Sequence, residues 1–172
     1  FTMKPTLDEN GRLIPRDDYR ISSLNCGGED FAIACMRSNL KYGKNQKRED
    51  VKSHHYIISF DPRDAADNGL TVDRAQQLGE QFCKEHFPGH QALVCTHPDG
   101  HNHSGNIHVH IVINSLRIAE VPLLPYMERP ADTREGCKHR CTDAAMEYFK
   151  AEVMEMCHRE NLYQIDLLHG SK

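Results

Sequence analysis

The segment Ile107-His-Val-His-Ile-Val-Ile-Asn114 constrains this chain more than any other, because its alternating apolar and polar residues read as a β-strand. Alternate side chains of a strand share a face, so His108 and His110 project the same way, roughly 7 Å apart along the chain. A second β-prone run, Gln91-Ala-Leu-Val-Cys-Thr96, stands a short distance upstream, and an antiparallel hairpin is the economical connection between the two. His97, at the end of that upstream strand, can then lie beside the start of the next and complete a set of three nitrogens. Three neutral histidines can hold a divalent metal and leave positions open for a phosphate oxygen or water. Asp99 is close enough in sequence to orient one of the rings as an acceptor. The chain has 12 histidines in 172 residues, which spread evenly would place about one in a 14-residue window, whereas residues 97 to 110 hold five. Two of these, His101 and His103, sit among Gly100, Ser104 and Gly105, a loop composition that fits solvated side chains.

The remaining pattern predicts an α+β fold, an antiparallel β-sheet flanked by helices, in a single domain over residues 1 to 172. Residues 1 to 25 are rich in turn material and read as an extended arm or irregular hairpin. After Gly27-Gly28, an apolar stripe of Phe31, Ala34, Cys35 and Tyr42 predicts a helix ending near Gly43. His54 to Phe60 predicts a strand stopped by Asp61-Pro62, and Thr71 caps a helix over 72 to 86. Prolines at 122, 125 and 130 mark a long loop, and Thr142 caps a last helix that reaches about 160. Asn114, at the end of its strand, reads as a turn residue.

Composition limits the partners. No run approaches the roughly 20 apolar residues that a membrane-spanning helix needs. Seven scattered cysteines, an odd number without repeated spacing, fit a reducing cytoplasm. The net charge of −4 gives no global attraction to nucleic acid, but Arg37, Lys41, Lys44, Lys47, Arg48 and Lys52 fall in a stretch whose only acids are Glu49 and Asp50. That stretch reads either as a solvated loop or as a phosphate-facing patch, with Lys44, Lys47 and Arg48 as its contacts. Arg134, Lys138, His139 and Arg140, ahead of the last helix, offer a second set of phosphate contacts, with simple solvent exposure the competing reading. His55 shares a strand face with Ile57 and Ser59 and fits either a core histidine or a ring supporting the metal ligands.

The stretch from Phe87 through His97, with Asp99 and His108-Val-His-Ile-Val-Ile-Asn114-Ser115, resembles the signature of the relaxase/mobilisation nuclease family of conjugative plasmids and transposons. His55 with Ser59-Phe60, and the helix start Leu70-Thr-Val-Asp-Arg-Ala75, are similar to that family as well, and the likeness covers roughly residues 22 to 165. It implies a His-hydrophobic-His endonuclease fold, with His97, His108 and His110 as ligands of a divalent ion: manganese, magnesium or zinc. It further implies a site-specific nickase and strand transferase acting on single-stranded DNA at an origin of transfer, in company with accessory relaxosome proteins and a coupling protein. In such enzymes a tyrosine attacks the scissile phosphate and keeps the 5′ end of the DNA. This chain begins at Phe1 and has no tyrosine before Tyr19. The expectation is that the usual nucleophile lies in native residues upstream of Phe1, so that this stretch alone binds metal but nicks poorly, with Tyr19 as a substitute candidate. Two alternatives stay open. Asn106-Ile-His-Val-His-Ile-Val112 resembles the signature of histidine-triad nucleotide hydrolases, with Asn106 in place of the first histidine, and a non-catalytic DNA-binding module needs no nucleophile at all.

Overall fold

The computed structural model describes residues 9–10, 19–98 and 106–163. Its centre is the expected hairpin: β3 (His90–His97) pairs antiparallel with β4 (His108–Arg117), with His97 opposite His108 and Cys95 opposite His110. β1 (Arg20–Leu24) pairs with the outer edge of β3 and β2 (Ser53–Ser59) with that of β4, giving an antiparallel sheet in the order β1-β3-β4-β2. The expected arm over residues 1 to 25 is therefore corrected over its last part, where Arg20–Leu24 is a sheet strand. Its apolar content is too small to announce a strand, and the pairing comes from an available edge of β3. Residues 1–8 and 11–18 lie outside the described residues.

Strand alternation gives the sheet two unlike faces. Ala92, Val94, Thr96, Val109, Ile111 and Ile113 share one face and are fully buried. Against it pack α3 (Val72–His86), through Ala75, Leu78 and Phe82, and α4 (Asp143–Arg159), through Phe149, Val153 and Met156. Both helices start where their threonines predict, Thr71 accepting from the amide of Arg74 and Thr142 from that of Ala145. Each large apolar side chain so buried contributes about 1.5–3 kcal/mol. Gly79 lets α3 approach closely, since a Cβ there would lie 2.5 Å from Cγ1 of Val109 and 3.3 Å from that of Val94. Gly79→Ala is expected to lower stability by about 1–3 kcal/mol, read as a lower urea midpoint at unchanged m-value.

The other face is only partly covered. α1 (Phe31–Tyr42), capped by Asp30 and ended by Gly43 at a φ of 64°, covers one end of it. There Gln91 donates to the carbonyl of Ala34 at 3.0 Å, and Asn114 donates to Gln91 at 3.0 Å and Asn39 at 3.3 Å. Asn114 is thus not a turn residue. It is 1% exposed inside a strand that runs three residues further than expected, and its side chain joins β4 to α1 and β3. A short helix the sequence did not announce, α2 (Asp64–Asn68), lies between β2 and α3.

Candidate metal centre

On the partly open face the register does what the spacing of the histidines requires. His108 and His110 come from β4, and His97 comes from the neighbouring residue pair of β3. One nitrogen of each ring lies within 4.8 Å of the others, with His97 buried and the other two half-buried. The rings of His97 and His108 stack at 5.1 Å, while His110 stands edge-on to both. Among the described residues no other group of histidine, cysteine and carboxylate side chains is arranged to hold a metal ion.

The surroundings orient these rings. Nδ1 of His108 lies 3.2 Å from the carbonyl of Asn106, and Nδ1 of His110 lies 2.7 Å from Nε2 of His55. His55 sits on β2 opposite Val112 and on the same face as His110, and their rings stack at 5.0 Å. Nε2 of His97 lies 3.4 Å from the thiol of Cys95, a neighbour that the sequence reading did not single out. Burial, reinforced by the rings of His108, His55 and His97, pulls His110 down to about 4, and burial also lowers His55. Near pH 7 His110 is therefore neutral, the form in which an imidazole ligates a metal.

Tyr19 precedes β1 and stacks on His97, ring centroids 6.3 Å apart. The other tyrosines lie elsewhere: Tyr56, Tyr126 and Tyr148 ring Phe149 on the helix-covered side, Tyr42 donates to Glu135, and Tyr163 to Asp67. Asp99, His101 and His103 lie outside the described residues. Lys44, Lys47 and Arg48 are exposed between α1 and β2, in a segment tied to the far end of β4, where Asn45 donates to Ser115 at 3.0 Å. Lys138 and Arg140 are half-buried against the same end of β4 but on its helix-covered side, so the two basic sets do not form one groove with the histidines. His139 is corrected as a phosphate contact. It is 6% exposed, its Nε2 lies 2.9 Å from the Tyr56 hydroxyl, and its ring is packed among Phe87, Tyr126 and His90.

Residues 15–122 match the model of the relaxase family, described as MobA/VirD2-like, nuclease domain, which is more than half of the chain. The chain belongs to this family. It is also 35% identical over 96 residues to protein rlx of Staphylococcus aureus, a match that covers 55% of the chain and 25% of that protein. The relaxase match spans both β-strands that carry the three imidazoles, so the family and the geometry fall on the same residues. The chain spans about a quarter of the length of the curated relative it matches. No described helix is long and apolar enough to cross a membrane.

Proposed function

We propose that this relaxase domain nicks single-stranded DNA at the origin of transfer of a conjugative element, by transesterification at a divalent metal. The observation that carries the reading is the convergence of His97, His108 and His110 on one partly open sheet face. These three rings would hold the ion, whether manganese, magnesium or zinc, and when bound it would neutralise charge developing on the scissile phosphate. His55 would orient His110 through the 2.7 Å contact to Nδ1, and the Asn106 carbonyl would orient His108 through Nδ1 at 3.2 Å, leaving Nε2 of each ring available to an ion. A histidine-triad hydrolase gives His97 no such place among the rings.

In the chemical step a tyrosine Oη–phosphorus bond forms, the bond from phosphorus to O3′ breaks, and a free 3′ hydroxyl leaves while the 5′ phosphate stays on the protein. The nucleophile is proposed to be a tyrosine of the full-length protein other than Tyr19. Tyr19, stacked on His97, serves as a platform against which a base can rest. Asp99 would support a ligand ring, while Lys44, Lys47, Arg48, Lys138 and Arg140 would bind backbone phosphates away from the nick. Accessory relaxosome proteins and a coupling protein would act with the full-length protein in the bacterial cytoplasm.

The test is a nicking assay on supercoiled DNA carrying the element's transfer origin, with this chain and with the longer, full-length protein. Metal-dependent nicking and a covalent 5′ adduct are expected for the longer protein, and both should survive Tyr19→Phe. Cleavage that persists after chelation, or metal and DNA binding without nicking by the longer protein, would overturn the assignment, the second result marking a non-catalytic module.

A further inference from the structure

α1 is turned against the usual rule for a surface helix. The side that meets the sheet is small and polar: the carbonyl of Ala34 and the hydroxyl of Ser38 accept from Gln91, and Asn39 accepts from Asn114. The outer side carries Ile33, Met36 and Leu40, which are 53%, 66% and 70% exposed. These are three of the seven large apolar side chains exposed among the described residues, and their i, i+3, i+7 spacing lines them up on one face. An amphipathic helix that only closes a core buries its apolar side, so this stripe marks a contact surface.

The charges around the stripe select its partner. Glu29 stands ahead of the helix, where it pairs with Arg37 at 3.0 Å, and Lys41 stands in the last turn. Lys41 lies over the ring of Tyr42 at 5.3 Å and forms no ion pair among the described residues. Turned end for end, this face is its own complement. About a two-fold axis passing between Met36 and Arg37, Ile33 comes opposite Leu40 of a second copy, Met36 rests on the methylene stem of Arg37, and Glu29 comes beside Lys41. The two helix dipoles then run in opposite directions, each positive end beside a negative one.

We infer that α1 is a homodimer contact in which the apolar stripes of two copies pack antiparallel. Two-fold symmetry makes each favourable pairing occur twice. One pair of three-turn helices falls short of the about 1,200 Å² of a standard interface, so the association is reversible and in the micromolar range. α1 covers the end of the open sheet face at Gln91 and Asn114, about 20 Å along β4 from His108, and the contact leaves the imidazoles of both copies accessible. The dimer does not depend on the nuclease reading.

The test is sedimentation velocity of the full-length protein over a micromolar concentration range, with circular dichroism as the check on folding. A monomer–dimer equilibrium is expected. Leu40→Glu sets a carboxylate against Ile33 of the second copy and should weaken the dimer about 100-fold without disturbing the fold, because the side chain it replaces is exposed. Charge reversal tests the register. Glu29→Lys and Lys41→Glu should each weaken self-association about tenfold, and an equimolar mixture of the two variants should dimerise again, since opposite charges then meet at both ends of the contact. A full-length protein that stays monomeric at every concentration would overturn the contact and leave the stripe to another segment or another protein. A dimer unchanged by Leu40→Glu would place the interface elsewhere, and a mixture that fails to recover would overturn the antiparallel pairing.

Discussion

Replacing His108 by alanine is expected to lower metal-dependent strand cleavage by the nucleophile-bearing protein about 10²–10³-fold, the scale on which a preorganised electrostatic contact acts in a transition state. His108 packs against both other imidazoles, 5.1 Å from His97 and 4.8 Å from His110 by ring centroid, so its loss leaves two of the three rings that could hold an ion. The fold should survive, because the ring is half-buried on the partly open face and adds nothing to the core beneath it. His55→Ala should act more mildly, weakening metal affinity about 10–100-fold while leaving cleavage recoverable at high metal concentration. The measurements are metal titration by calorimetry and cleavage rate against metal concentration, with circular dichroism as the check on folding. Equal cleavage by His108→Ala and the parent protein would remove the imidazole cluster from the mechanism, and loss in His55→Ala that excess metal cannot restore would give that ring a role other than orientation.

Acid is expected to unfold this domain earlier than its carboxylates alone would predict. His90 is 0% exposed and His139 6%, and burial pushes both down to about 3, with Arg117 and neighbouring imidazoles adding to the effect. In the unfolded chain each takes up a proton near pH 6.5, whereas the folded protein resists until about pH 3. Across that window the unfolded state holds more protons, so stability is fully present above pH 6.5 and falls as the pH falls. The limiting slope is about 1.4 kcal/mol per pH unit for each histidine. His54 and His86, also lowered by burial, and His110 add in the same direction. Urea midpoints measured from pH 7 to pH 4.5 should decline steadily, and His139→Gln should flatten the decline. A midpoint constant over that interval would show that these rings are not held neutral by the fold.

The two halves of this result were legible to different degrees. Strand alternation around His108 and His110 fixed which side chains share a face, and the short gap after His97 made a hairpin the simplest connection, so the convergence of the three imidazoles followed from local periodicity. The helices over 72–86 and 143–159 were equally readable, because Thr71 and Thr142 satisfy the first amides and the apolar residues repeat with a helical period. β1 was not readable: Arg20–Leu24 has little strand character of its own and is ordered by pairing with β3.

His139 shows the same limit from the other side. Between Lys138 and Arg140 it reads as part of a basic surface, yet only the return of its segment onto β4 carries it into an aromatic interior beside Tyr56. Arg117, likewise, is an ordinary strand-end arginine until the 117–142 connection closes over it. Sequence alone determined the periodicities, the caps and the pair of imidazoles on one strand, since these depend on residues close along the chain. Tertiary structure decided which strand fills each sheet edge, which basic residues are buried and which face stays open. Those outcomes depend on contacts between segments far apart in sequence, and no local pattern records them.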